Sequence, residues 1–382
     1  MSKTDFHFFT PNHLIFGDGA AKNIGEYLIR LNSKRILIIT DMGLVKAGLV
    51  DRVKKYIDKS NRTSIVFSEV KPNPTIANVH KGVEIVRDEQ IDTLVAIGGG
   101  SPIDAAKAIS ALVTNKGSIL EYELGNKEFS IPGLPLIAIP TTAGTGSEAT
   151  MASVILDEEA NRKFDIVSKC MTPVFSLVDP ETTYTLPVSM SAFTGMDALT
   201  HAIEGFTATL ANPVTDAIHL QAIIQLWNNL ETVVQDGTNK ESRRQVMMGS
   251  MMAGIGFPNS GLGAVHGLSY ALSCHYHLGH GLANAILLPH VMKFNQPVVG
   301  EKFLQLSRVL GFKNPDYDTM VIELLDYEKR IGIPALKTFD VDSGDFPQMA
   351  AESMGDFSNC NTNPRPVSIA DAVDIFTNAL AL

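Results

Sequence analysis

The chain has 382 residues, enough for two domains with full cores, and its 45% hydrophobic and 19% charged composition is that of a globular protein. A formal charge of −10 with a pI near 5.5 argues against nucleic acid or an anionic membrane surface as a partner. The three cysteines, Cys170, Cys274 and Cys360, are far apart and odd in number, which fits a reducing compartment better than a disulfide framework.

The stretch Met1 to His7 lacks the charged-then-apolar pattern of a secretory signal. No run of about 18 apolar residues suggests a membrane span, so the expected location is cytoplasmic. The first half then alternates short β-branched runs with helical stretches. Strands are expected at 35–40, 64–67, 93–97, 135–140 and 174–178, with amphipathic helices at 46–58, 76–89 and 102–113. Such alternation implies a parallel sheet covered on both faces. Beyond Leu186-Pro187 the texture changes to long helical segments, at 191–208, 213–234, 241–256, 264–276, 281–292, 300–310, 317–331 and 369–381. The expected organisation is an α/β domain over residues 1–187 and an all-α domain over 188–382, packed together with a ligand site in the cleft.

Two glycine-rich turns follow strands in the first half. Gly98-Gly99-Gly100-Ser101 leads into a helix expected to begin near Pro102, where free N–H groups and the helix dipole suit a phosphate. Thr141-Thr142-Ala143-Gly144-Thr145-Gly146-Ser147-Glu148 follows the next strand and offers N–H and O–H donors. Either alone reads equally as a tight turn. Two anion cradles at the ends of parallel strands match where α/β sheets bind nucleotides. Asp41, directly after the first strong strand, can accept from a ribose hydroxyl and repel a 2′-phosphate, favouring NAD over NADP; it can equally cap a helix.

In the second half Asp197 and His201 are four apart on an expected helix, so both point to one side. A carboxylate and an imidazole so placed are half of a metal site. His266, His275, His277, His280 and His290 crowd one later region, and spacing alone does not choose among them. One carboxylate and three imidazoles would suit Fe(II) or Zn(II) with a position left for a substrate oxygen.

With these residues in view, the chain resembles the iron-containing (group III) alcohol dehydrogenases, a family that includes lactaldehyde reductase and 1,3-propanediol dehydrogenase. The resemblance runs through Lys71-Pro72-Asn73-Pro74-Thr75, Gly98 to Lys107, Thr141 to Glu148, Gly195 to Glu204, and Gly279-His280-Gly281 leading to Leu287-Leu288-Pro289-His290. It implies a dinucleotide-binding α/β domain followed by a helical metal-binding domain, an arrangement shared with dehydroquinate synthase. It puts the metal ligands on Asp197, His201, His266 and His280. It puts cofactor contacts on Asp41, Asn73, Gly99, Gly100, Ser101, Thr141, Thr142, Thr145 and Lys163. A homodimer, and a pocket wall including Met151, Phe257 and Cys274, are also implied.

The family pattern is departed from at Tyr270, where members usually carry a second histidine four residues after the ligand at the position of His266. A phenol, with an ordinary pKa near 10, is a poorer base than imidazole at neutral pH. Tyr270 therefore reads either as a catalytic residue or as part of the cleft wall, with proton transfer passing through water, the cofactor ribose or His277. The expected reaction is hydride transfer between NAD(H) and a small alcohol or aldehyde, with the metal polarising the substrate oxygen. The rival readings are an NAD- and metal-dependent lyase like dehydroquinate synthase, and a non-catalytic nucleotide-binding protein.

Overall fold

A computed structural model describes residues 5–10, 12–355 and 358–382. Residues 1–4, part of the stretch read for a signal, lie outside the described residues. The chain forms two compact units, Thr10–Leu186 and Pro187–Leu382, with residues 5–9 grouped with the second. Phe9 joins that second unit through its N–H and C=O, both bonded to the Asn259 carboxamide.

The first unit is built on eight strands: β1 His13–Phe16, β2 Arg35–Ile39, β3 Thr63–Phe67, β4 Thr93–Gly98, β5 Leu136–Pro140, β6 Ala152–Asp157, β7 Arg162–Val167 and β8 Phe175–Val178. Between them run α1 Ile24–Arg30, α2 Met42–Lys46, α3 Leu49–Asp58, α4 Ile76–Asp88 and α5 Gly100–Thr114. Six strands form a wholly parallel sheet in the order β1-β8-β5-β4-β2-β3, and β6 and β7 pair as a separate antiparallel hairpin. The continuous apolar runs follow from this layering, because alternate residues feed two cores. Ile36, Ile38, Val95, Ile97, Ile137 and Ile139 pack with α1 and α3. Leu37, Ile39, Leu94, Ala96, Leu136 and Ala138 pack with α4 and α5. Both faces are therefore dry.

The expected parallel sheet and its five strands are present. The helix expected over 46–58 is divided: Gly48 takes φ 74°, a left-handed conformation that ends α2 and restarts the chain as α3. Helix α5 begins at Gly100 rather than Pro102, which leaves the proline in the first turn, where its missing N–H costs no hydrogen bond. The short edge strand β1 and the β6–β7 hairpin were not anticipated.

The second unit is helical: α6 Val188–Thr207, α7 Pro213–Gln235, α8 Lys240–Ser260, α9 Ala264–Tyr276, α10 His280–Val309, α11 Thr319–Arg330, α12 Phe346–Glu352 and α13 Ile369–Ala381. Two segments expected to be separate, 281–292 and 300–310, run together as α10 with a kink at Val299. Pro297, just before it, removes a backbone donor and accounts for the bend. Asn212 starts α7 by accepting from Val214 and Thr215 while Thr215 reciprocates to its N–H, with Pro213 at the first turn. Among the described residues no helix is long and apolar enough to cross a membrane.

Candidate metal centre and nucleotide loops

Helix α6 carries Asp197, His201 and Glu204 at i, i+4 and i+7, so all three project from one face. Asp197, His201 and His266 each bring one ligand atom to within 4.8 Å of the others, and all three are buried. His280, the first residue of α10, places its Nε2 3.8 Å from Asp197 Oδ1, the same separation as His266 Nε2. Its side chain is 27% exposed against 3% for Asp197 and His266, so the cluster opens at His280. The His201 ring stacks between Phe257 at 4.6 Å and His266 at 4.4 Å. The four predicted ligand positions, drawn from three helices, are thus brought together.

Glu204 orients the cluster. Helix α9 starts at Gly263, which has no side chain to cap it. Its first N–H groups are met from elsewhere: Ala264 N donates to Asn363 Oδ1 at 3.1 Å and Val265 N to Glu204 Oε1 at 2.7 Å. A Cβ on residue 263 would lie 2.6 Å from Glu204 Oε1, so glycine is what lets the carboxylate approach. Glu204 Oε2 then accepts from His266 Nδ1 at 2.6 Å. A carboxylate only accepts, so the imidazole proton sits on Nδ1 and the Nε2 lone pair points toward Asp197. Burial alone would raise the Asp197 carboxyl, but the neighbouring imidazoles of His201, His280 and His266, with the Asn284 N–H, hold it below its ordinary value. One anionic oxygen and three imidazole nitrogens, mostly dry and prealigned, make a donor set that fits a divalent transition ion.

The metal-capable group among the described residues does not include the other histidines of this region. His275 pairs with Glu352 at 2.7 Å, and exposed His277 ends α9 in a left-handed conformation. His290, ten residues beyond His280, is about 15 Å further along α10, and burial pushes its pKa down to about 4. Tyr270 lies one turn after His266, its ring 5.5 Å from that of His280.

In the first unit, β5, β4 and β2 are adjacent, so the loops at their C-terminal ends sit side by side. The strand order reverses between β2 and β4, which is where open α/β sheets leave a crevice. Asp41 follows β2 and accepts from Leu44 N at 3.0 Å through Oδ1, capping α2. The capping reading of Asp41 holds; a carboxylate keeps further acceptor capacity. Gly99 and Gly100 pack against the neighbouring loop: a Cβ on either would meet Thr142 Oγ1 at 3.0 Å or Thr145 Cγ2 at 2.9 Å. Asn73, at φ 59°, donates its N–H to Ser101 Oγ at 3.2 Å. Lys163 on β7 faces Leu156, whose N–H donates to Pro74 O at 2.8 Å, which ties the hairpin to the Asn73 turn.

A polar core beneath these loops had no assigned role in the sequence. Fully buried Lys107 donates to Ser147 Oγ, Thr150 Oγ1 and Ala152 O at 2.7–2.9 Å. Asp104 accepts from Ser147 Oγ and Val154 N. Burial pushes Lys107 down to about 8 and Glu148 up to about 7. The signal was the i, i+3 spacing of Asp104 and Lys107 on an otherwise apolar helix.

A parallel α/β unit followed by a helical unit, with an Asp-His-His-His cluster buried except at His280, is the arrangement of a metal- and nucleotide-dependent class of protein. The chain belongs to the iron-containing alcohol dehydrogenase family. The model described as "Iron-containing alcohol dehydrogenase" matches residues 11–180, and "Fe-containing alcohol dehydrogenase family, C-terminal" matches 191–380. Alcohol dehydrogenase 4 of Schizosaccharomyces pombe is 38% identical across 98% of this chain and 89% of its own length. The NAD-dependent methanol dehydrogenase of Bacillus methanolicus is 36% identical across 98% and 100%. The crystal structure of a 1,3-propanediol oxidoreductase superposes with a TM-score of 0.95 at 37% identity, covering 98% of this chain and 100% of that one. The protein is therefore an oxidoreductase of this family, and the lyase and non-catalytic readings give way.

Proposed function

We propose that the protein transfers hydride reversibly between NAD(H) and a small alcohol or aldehyde, using a divalent ion held by Asp197, His201, His266 and His280. The observation that carries this reading is the convergence of those four side chains, with Glu204 fixing the tautomer of His266. In the oxidative direction the alcohol carbon gives a hydride to nicotinamide C4 and the hydroxyl proton goes to solvent, leaving aldehyde and NADH. The ion supplies Lewis-acid polarisation of the substrate oxygen. Iron(II) is the family's metal. Zn(II) binds such ligands more tightly in the usual order of affinities and competes during purification.

The cofactor is assigned to Asp41, Asn73, Gly99, Gly100, Ser101, Thr141, Thr142, Thr145 and Lys163. Support comes from the adjacent loops at the strand ends and from the NAD dependence named for the Bacillus methanolicus relative. Tyr270, beside His280, forms the wall of the open side and is the nearest candidate to hand on the substrate proton. A cytoplasmic homodimer is the accompanying assignment. His280→Ala tests the reading: turnover of every alcohol should be lost while NADH binding, measured by fluorescence, persists. Full activity in that variant contradicts it.

A further inference from the structure

Asn284 lies one turn after His280 on α10 and is completely buried. Its Nδ2 is 2.7 Å from Asp197 Oδ1, 3.1 Å from His266 Nε2 and 3.2 Å from His280 Nε2. One nitrogen therefore touches a ligand atom on each of α6, α9 and α10. Asp197 Oδ1 and His266 Nε2 are acceptors, but an imidazole Nε2 has one lone pair, which an ion would take, so the contact compatible with a bound ion is the one to Asp197 Oδ1. The shortest goes to the carboxylate, where a donor is strongest. Asn284 Oδ1 is buried with no hydrogen-bonding partner among the described residues, so the polar contacts of this side chain are those of Nδ2 with the ligand cluster.

We propose that Asn284 is a positioning residue of the metal site with two tasks. It orients the Asp197 carboxylate by donating to Oδ1, and its bulk closes the side bounded by Asp197, His266 and His280 to any fifth ligand. A substrate oxygen would then enter at the exposed edge of His280, the side that also carries Tyr270. This inference rests on the metal reading above, and the test keeps the two apart.

Two variants separate the tasks. Asn284→Leu keeps the bulk and removes the donor; Asn284→Ala removes both. Co(II) affinity is measured by chelator competition on metal-stripped protein, and azide is titrated into the Co(II)-loaded forms while their visible absorption is followed. The expected result is a 10–100-fold loss of Co(II) affinity in both variants, the range for removing a partner that orients a metal ligand. Azide should perturb the Co(II) bands of Asn284→Ala at tenfold or more lower concentration than in the parent, and those of Asn284→Leu at the parental concentration. Parental Co(II) affinity in both variants, even with a lowered unfolding midpoint, overturns the donor role. A parental azide response in Asn284→Ala overturns the closure. A parent protein that binds no Co(II) overturns the metal reading itself.

Discussion

Glutamine at position 204 is the most informative single change, because it preserves shape and removes one acceptor. In the parent both carboxylate oxygens are committed, Oε1 to Val265 N at 2.7 Å and Oε2 to His266 Nδ1 at 2.6 Å. A carboxamide has one acceptor and one donor end, so either orientation makes one donor face another donor. If the amide nitrogen faces Val265, a buried N–H at the start of α9 is left unpaired, which costs about 1–3 kcal/mol of stability. If it faces His266, the ring escapes by moving its proton to Nε2, and the lone pair aimed at Asp197 is lost. Both arrangements weaken the site. The expected loss in Fe(II) or Zn(II) affinity is 10–100-fold, about 1.4–2.7 kcal/mol. Urea unfolding of the metal-stripped protein reads the first cost, and chelator competition reads the second. Glu204→Gln with parental values in both assays would refute the argument that Glu204 sets the tautomer.

The polar core beneath the nucleotide loops gives two further expectations. Lys107→Met leaves Asp104 and three acceptors without their buried cation, so it should cost about 3–5 kcal/mol in urea unfolding and weaken NADH binding. A loss under 1 kcal/mol would show that the ammonium is not needed there. Glu148 has a folded-state pKa raised to about 7 from an ordinary 4.5. Its contribution to stability is complete below pH 4.5 and is lost as pH rises through 7. Between pH 5 and 8 the parent should therefore lose about 2–3 kcal/mol that Glu148→Gln does not. Parallel stability curves for the two proteins across that window would contradict this.

The sheet was legible because its strands bury both faces: the runs at 36–39, 94–97 and 135–140 are apolar at every position. Strand β1 was missed because four residues, His13–Phe16, are too short a run to stand out, and only pairing with β8 makes them a strand. The β6–β7 hairpin was missed because residues 152–157, Ala-Ser-Val-Ile-Leu-Asp, alternate in burial but not in polarity. In the metal centre, the i, i+4 spacing of Asp197 and His201 was readable, whereas His266 and His280 come from other helices and needed the resemblance. Glu204 and Asn284 stayed hidden for a related reason. Each is an ordinary helix residue until other helices bring partners to it, α9 to Glu204 and α6 and α9 to Asn284. Asp41 shows the opposite limit, where one position suits a cap and a cofactor contact equally.

The central claim is that the four-residue cluster holds a catalytic metal serving an NAD-dependent reaction. It is tested most directly by following NADH oxidation with a panel of short aldehydes, using anaerobically purified, metal-stripped protein before and after addition of Fe(II). Turnover that appears only after the metal is restored, and disappears again with chelator, is the predicted result. Equal turnover with and without metal, or none with any aldehyde despite bound Fe(II) and NADH, would contradict it.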